Sequence, residues 1–379
     1  MNKKVLHVLS VSFSIKYFIG NQFIYFKTKG VEFHVACSYS DELMKLSEEY
    51  GFTAFPIPIK RAIDPLEDIK SIYKLTQYIK KEKFDIVITH SPKGGMIGSV
   101  ASFFAGTQKR VYFRHGLVFE TLKGTKQRLL ILVEKLNGTL SHAVVNVSLS
   151  IQRKSEKLRL NKSFKNIVLG KGTCNGVDIH RFQYREGFKD KDVKVVGFVG
   201  RISKDKGIVQ LIEAWKILKQ SNANIKLLLV GPIDDRDPIE NSLLEYINNE
   251  ISIDFFGEVS DVKHYYNMMD IFVLPSFREG FPTVTLEASA SRLPVITSRA
   301  TGCIDSIIDN TTGIFTEITG IKIAEAIQRY LDNPQELLSH GLNGEKFIRD
   351  NFAEEIVYLQ VEKHVLSSNY PLFKNPRIV

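Results

Sequence analysis

Short apolar segments rich in β-branched and aromatic residues alternate along this chain with stretches of helical periodicity, and the alternation runs through it twice. In the first half the strand-like segments are VLHVLSV (5–11), EFHVACS (32–38), TAFPIPI (53–59), FDIVITH (84–90), RVYFRH (110–115) and HAVVNVS (142–148). Helical patterns such as DELMKLSEEYG and PLEDIKSIYKLTQYIKKEK lie between them. In the second of these, Leu66, Ile69, Ile72, Tyr73, Leu75 and Ile79 recur at helical spacing. The second half repeats the scheme with VKVVGFVG, IKLLLVG, IDFFGEV, IFVLPS and PVITSR. Such alternation implies parallel sheets with helices on both faces. A chain of 379 residues is also too long for one ordinary core. The expected architecture is therefore α/β, with two Rossmann-like doubly wound domains facing a central cleft. The Gly- and charge-rich stretch 170–192 is the seam. It separates a first domain, 1–175, from a second, 190–350, and a final helix at about 353–370 is expected to cross back to the first domain. The tail 369–379 carries no readable signal.

In open sheets of this kind, ligands sit beyond the carboxyl ends of the strands, so chemistry-bearing residues are sought there. GFVGRISKDKG (197–207) directly follows a strand. Gly197 and Gly200 permit close backbone approach, and Arg201 and Lys206 place two cations just before a helix that begins near Gly207. Glycines, cations and a helix N-terminus favour a phosphate or diphosphate; the bland alternative is a tight turn with solvated charges. FREGFPTVTLEA (277–288) puts Glu279 in a loop and Glu287 on the next helix. Two carboxylates converging on one ligand suit the hydroxyl pairs of a ribose and a hexose. The alternative is a helix N-terminal acid favoured by the macrodipole, with a surface acid at 287.

Neither GxGxxG nor GxxxxGK[ST] is present, which argues against a nicotinamide-dependent oxidoreductase. The charge is uneven. Residues 1–190 carry 31 Lys+Arg against 16 Asp+Glu, a net of +15, and the remainder is −6. Nucleic acid and an anionic membrane are the natural partners of such a basic half. No aromatic–basic RNA motif accompanies it, so no nucleic-acid partner is expected. The helical stretch KGTKQRLLILVEKLNGTLS (123–141) opens with Lys123, Lys126 and Arg128 and is apolar on one face, which fits docking on an anionic leaflet. Alternatively, Leu129, Leu130, Leu132 and Val133 pack on the sheet. Apolar runs are strand-sized, so no transmembrane helix is expected. The N-terminus mimics a signal peptide but lacks a small-residue cleavage site, and His7 interrupts its apolar run; it reads as the first strand. Cys37, Cys174 and Cys303 are odd in number and far apart, which argues against a disulfide framework or a zinc site and for a reducing cytoplasm.

Together GFVGRISKDKG, DIFVLPSFREGFPTVTLEASASRLPVI, the seam GKGTCNGVDIHRF and TGCIDSIIDNTTGIF resemble the retaining glycosyltransferases of family 4, with the GT-B fold. In the last stretch Asp305 stands where that family usually has Glu. The resemblance is strongest over 170–315, and its nearest relatives would be bacterial enzymes of capsule, O-antigen or lipid-linked oligosaccharide synthesis. It implies that Arg201 and Lys206 neutralise a departing diphosphate, so that no metal and no cofactor is required. It implies that Glu287 binds the nucleotide ribose and that Glu279 lies near the donor sugar. The backbone of Gly200 and of Gly280, Phe281 and Pro282, continued by Thr283 and Val284, would line the nucleotide-sugar. In YFRHG it places His115 at the donor sugar, and in THSPKGG it places His90 and Lys93 toward the acceptor. The chain departs from the family after its first strand, where SVSFSIKYFIGNQ replaces a Gly-Gly loop and Ser12, Ser14 and Lys16 are the available substitutes.

The expected reaction is a front-face transfer from a UDP-sugar to a lipid-linked saccharide, at the inner face of the cytoplasmic membrane. No carboxylate in the first half stands out as a nucleophile for a double displacement. A UDP-sugar epimerase of the same fold is the nearer alternative, but the E-x7-E segment belongs to the transferases.

Overall fold

The computed structural model describes residues 3–60, 64–188, 192–221 and 224–367. The tail 369–379 and the last residues of the expected 353–370 helix lie outside them. The chain divides into two compact units. One holds the residues up to Val147, 152–175 and those from Glu355 onward; the other holds 148–151 and 176–354.

In the first unit β1 (Lys3–Val8), β2 (Val31–Cys37), β3 (Thr53–Pro56), β4 (Ile86–His90), β5 (Lys109–Arg114), β6 (Ala143–Asn146) and β7 (Asn166–Ile167) form one sheet in the order β3-β2-β1-β4-β5-β6-β7. Every pairing is parallel. The helices between them are α1 (Phe13–Phe18), α2 (Gln22–Lys27), α3 (Asp41–Tyr50), α4 (Pro65–Glu82), α5 (Pro92–Phe104), α6 (Gly124–Leu140) and α7 (Leu149–Lys157), the last belonging to this unit from residue 152 on. Local chemistry sets their ends. Ser40 Oγ accepts from Leu43 N at 3.1 Å to cap α3, which stops at Gly51 in the left-handed region (φ 68°). Asp64 caps α4, with Pro65 in its first turn. After the short link 9–12 the chain enters α1, so Ser14 and Lys16 stand on a helix where the family of the resemblance has a Gly-Gly loop. There Ser12 Oγ donates to Glu42 at 2.6 Å.

The face of α4 differs from the sequence expectation, and that of α6 differs from the alternative in which its leucines pack on the sheet. On α4, Leu75 and Ile79 enter the core, but Leu66, Ile69 and Tyr73 are exposed. On α6 the buried residues are Glu134, Asn137 and Gly138, while Leu129, Leu132 and Leu136 are exposed. Packing of Leu129 and Leu132 on the sheet is thus excluded, and the reason is electrostatic. Arg114 closes β5 fully buried, and a buried charge without a partner is costly. Its Nε donates to Glu134 Oε2 at 2.7 Å, and Tyr112 donates to Glu134 Oε1 at 2.8 Å. Turning Glu134 inward turns the leucines outward.

The second unit holds β8 (Lys194–Val199), β9 (Ile225–Val230), β10 (Ile253–Phe255), β11 (Ile271–Leu274), β12 (Val295–Ser298) and β13 (Gly313–Thr316), all parallel in the order β10-β9-β8-β11-β12-β13. Its helices are α8 (Ile208–Leu218), α9 (Asn241–Asn249), α10 (Lys263–Met268), α11 (Thr283–Ala290), α12 (Gly320–Asp332) and α13 (Pro334–Asn351). Fully buried Trp215 anchors α8, its indole N–H donating to Ser252 Oγ at 3.0 Å. The last helix, α14 (Glu354–Val361), belongs to the first unit from Glu355 on. Lys29 pairs there with Glu362 just beyond it. In both sheets the strand order reverses direction once, between β1 and β4 and between β8 and β11, and such switch points are where α/β sheets bind ligands.

Candidate active site

At the switch point of the second sheet, the turns after β8 and β11 pack tightly against one another. Gly207 N-caps α8 at φ 74°, and a Cβ there would fall 2.2 Å from Pro275 O. Gly302, at φ 82°, sits against the loop of Glu279 and Gly280, where a Cβ would lie 2.6 and 2.5 Å from their carbonyl oxygens. Only glycine meets both the conformation and the space.

This packing brings together predicted residues of the second unit. Lys206 forms an ion pair with Glu279, which also accepts from Ser276 Oγ at 2.9 Å. Arg201, on the same turn as Lys206, pairs with Asp234 and lies 3.7 Å from Asp205. Asp205 in turn is 3.4 Å from Arg278. Burial alone would raise the Asp205 carboxyl, but the Ser203 hydroxyl and the Lys206, Arg201 and Arg278 cations outweigh it and hold it below the usual range. The result is a cluster of cations whose carboxylate partners fix their positions, which suits recognition of a multiply charged anion.

Gly280, Phe281 and Pro282 lead into α11. Phe281 packs on Phe352 with ring centroids 5.3 Å apart, and among the described residues no side chain caps the helix N-terminus at Thr283 and Val284. Its first N–H groups are donors for an anion or a hydroxyl. One turn on, Glu287 Oε2 accepts from the Tyr266 hydroxyl at 2.7 Å. Burial raises the Glu287 carboxyl above its ordinary range, against the opposing pull of Tyr266 and Arg181. Asp305, the departure from the glutamate of the resemblance, accepts from Ser150 N at 3.0 Å within the same unit.

In the first unit His115 follows β5 and stacks face to face on Phe18 of α1, with centroids 3.5 Å apart and planes 6° apart. Its Nε2 lies 2.8 Å from His90 Nδ1, and His90 Nε2 lies 2.9 Å from His7 Nδ1. His90, which the resemblance placed toward the acceptor, instead ends β4 fully buried with both ring nitrogens engaged by the other two imidazoles, and His7 is buried on β1. Burial pushes His7 and His115 down to about 3 and takes His90 well below the ordinary range, the neighbouring imidazoles adding to the effect there. Lys93, at the start of α5, pairs with Asp68.

Two family descriptions match this chain: Glycosyl transferases group 1 over residues 180–347 and Glycosyl transferase 4-like over residues 6–148. The capsular polysaccharide biosynthesis glycosyltransferase CapM of Staphylococcus aureus is 34% identical over 369 residues, spanning 95% of this chain and 96% of that protein. The chain belongs to the family 4 glycosyltransferases. An Escherichia coli relative, the UDP-Gal:alpha-D-GlcNAc-diphosphoundecaprenol alpha-1,3-galactosyltransferase, is 26% identical over 315 residues, covering 80% of each chain. The crystal structure of Anabaena HepE in complex with UDP-glucose is 18% identical and aligns with a TM-score of 0.78 over 96% of this chain and 99% of that one. The fold of the glycosyltransferase is GT-B.

Four residues that position candidate side chains, each within its own unit, were not singled out from sequence. Asp234 and Asp205 position Arg201, Tyr266 positions Glu287, and Phe18 clamps His115. Asp234 and Tyr266 partner across loops and carry no local pattern, whereas Asp205 lies four residues after Arg201 within GFVGRISKDKG. Phe18 lies in the departure after β1, and His7 entered only as an interruption of an apolar run.

Proposed function

We propose that this glycosyltransferase moves a sugar from a UDP-sugar to a lipid-linked saccharide, with retention and without a metal, in the synthesis of bacterial surface polysaccharide. One observation carries the reading. Lys206 and Glu279 meet from the turns after β8 and β11, with Arg201 on the same turn as Lys206 and the uncapped start of α11 following Glu279. That is a diphosphate site flanked by a hydroxyl-binding carboxylate. The E. coli relative, named for a UDP-galactose donor and a diphosphoundecaprenol-linked acceptor, and CapM, named for capsular polysaccharide, support the donor and acceptor classes.

In this reading the bond between the anomeric carbon and the diphosphate oxygen breaks, and the electron pair leaves with UDP. The acceptor hydroxyl oxygen bonds to the same carbon on the same face, and its proton passes to the departing phosphate oxygen. Arg201 and Lys206 bind more strongly as charge develops on the diphosphate, which is transition-state stabilisation by preorganised cations. Two fixed cations supply the neutralisation that a metal would otherwise give. Glu287 takes the ribose hydroxyls, Glu279 and His115 take sugar hydroxyls, and Lys93, exchanging Asp68, meets an acceptor phosphate. Among the described residues no helix is long and apolar enough to cross a membrane. Peripheral attachment to the inner leaflet through α6 gives access to the lipid-linked acceptor.

Calorimetric titration of UDP, GDP, ADP and NAD in the presence of EDTA tests the reading. Metal-free UDP binding is expected. A preference for GDP or ADP changes the donor, and binding of NAD alone, or of no nucleotide, overturns the assignment of 197–207 and 277–288.

A further inference from the structure

The three imidazoles of the first unit form a chain with a direction. His7, His90 and His115 come from the adjacent strands β1 and β4 and from just beyond β5, with ring planes tilted by only 20° and 23° along the series. Each link joins one ring's Nδ1 to the next ring's Nε2, at 2.9 and 2.8 Å. A neutral imidazole has one N–H and one bare nitrogen. Two such links through a shared neutral His90 therefore allow only two arrangements. Either every ring donates from Nδ1 toward His115, leaving His115 with an N–H at Nδ1, or every ring donates from Nε2 toward His7, leaving His115 bare at Nδ1. Switching one ring alone sets two N–H groups or two lone pairs against each other.

The inner end selects between them. Among the described residues His7 Nε2 has no hydrogen-bond partner, and the ring lies edge to face with Phe23 and beside Phe33. The small cavity it lines is otherwise walled by apolar side chains, among them Phe18, Ile88 and Phe113, and by Gln22, whose amide nitrogen is turned to Cys174 O and Asn175 Oδ1. A donor facing a largely apolar cavity goes unpaired more rarely than an acceptor, so the bare nitrogen belongs at this end. That places an N–H on His115 Nδ1, which has no partner among the described residues on the least buried member of the chain. The Phe18 stack keeps the ring from turning.

We propose that His7 and His90 are positioning residues that fix His115 in its Nδ1–H tautomer, so that His115 meets a sugar oxygen as a hydrogen-bond donor. The inference rests on the assignment of His115 to the sugar. His7 and His90 touch no substrate and act only through His115.

Long-range ¹H–¹⁵N correlation spectra of the ¹⁵N-histidine-labelled enzyme at neutral pH read each tautomer directly. Nδ1–H on all three rings is the expected result, and an Nε2–H tautomer on His115 overturns the proposal. Steady-state kinetics of His90→Leu and His90→Gln add an independent readout. Leucine breaks the chain and should lower kcat/KM by roughly five- to tenfold, the scale of one lost neutral hydrogen bond, with UDP affinity unchanged. Glutamine accepts through its carbonyl and donates through its amide, so it should restore most of the loss. Equal losses in the two variants would mean that His90 only packs. His115→Ala separates the two levels: unchanged turnover removes the underlying assignment of His115, whereas lost turnover with a normal His90→Leu enzyme removes the chain alone. If the variants fail to fold, the wild-type spectrum still decides.

Discussion

Lys206 and Glu279 lie on different strand-end turns of the second sheet, and the Lys206 ammonium is bonded to the Glu279 carboxylate. The pair is mostly shielded from solvent, so each side chain holds the other in place. A diphosphate arriving at Lys206 must compete with that carboxylate. Glu279→Gln removes the competitor and keeps the shape. We expect the variant to bind UDP roughly two- to fivefold more tightly, the scale of a modest ion pair, while kcat falls at least about tenfold. Calorimetry beside initial-rate kinetics reads both; a loss of UDP affinity parallel to the loss of rate would place Glu279 in nucleotide binding instead.

Arg201→Ala should cut turnover roughly 10²–10³-fold, as for the loss of one preorganised donor to a developing anion. Arg201 is more than a third exposed, and its buried partner Asp234 keeps its bond to Arg236 at 3.0 Å, so the melting temperature should hardly move. Turnover within a few-fold of wild type would remove the phosphate assignment.

What could be read before the structure was local. GFVGRISKDKG and FREGFPTVTLEA each carry glycine, charge and strand-end position within a dozen residues, so their chemistry was visible as a string. The partners that hold them were not. Tyr266 reaches Glu287 across 21 residues and His7 reaches His90 across 83, and no periodicity links either pair. The sheets were legible from β-branched runs, but two-residue β7 was not, and β13 (GIFT) was absorbed into a glycine-bearing loop. Helical periodicity marked the apolar face of α6 without saying which way it points. That was decided by Arg114, whose burial demands Glu134.

Glu287 offers a test with a worked sign. Burial raises its folded-state carboxyl above the ordinary value, so as pH rises between the unfolded and folded values the unfolded chain sheds a proton the folded chain keeps. Stability falls across that window, and the cost persists at neutral pH. Glu287→Gln should therefore melt higher than wild type at pH 7, with the difference vanishing below the ordinary glutamate range, while affinity for UDP drops. A variant that melts lower at pH 7 would show that the carboxylate is stabilising where it stands.

The histidine chain carries the opposite slope. His7 and His115 titrate at about 3 in the folded protein, because burial excludes the charged form. An unfolded histidine takes up its proton near 6.5. Stability is complete above about 6.5 and drains as pH falls toward about 3. The faces around the chain are aromatic: Phe18 of α1, Phe23 of α2, Phe33 of β2 and Phe113 of β5. His7→Phe should flatten the fall of melting temperature between pH 6.5 and 4 relative to wild type. An unchanged slope would mean that His7 is not held neutral.

The outward leucines of α6 define the remaining test. Leu129, Leu132 and Leu136 recur at helical spacing on the exposed side, and Lys126, Arg128 and Lys135 are exposed beside them. An apolar stripe with cations alongside is the pattern of a helix lying in an anionic interface, with the leucines in the acyl boundary and the cations at the headgroups. Both parts must contribute, since basic residues near such a surface are worth about 1 kcal/mol each and that attraction is screened by salt. The enzyme should pellet with vesicles containing anionic lipid, less so with rising salt, and little with neutral vesicles. Leu132 is 62% exposed and supports no core, so Leu132→Glu should abolish pelleting without changing the melting temperature. The same variant should keep its turnover on a water-soluble acceptor analogue and lose it on a lipid-linked acceptor in vesicles. Absence of pelleting on anionic vesicles, or a Leu132→Glu enzyme that pellets like wild type, would remove α6 as the attachment face.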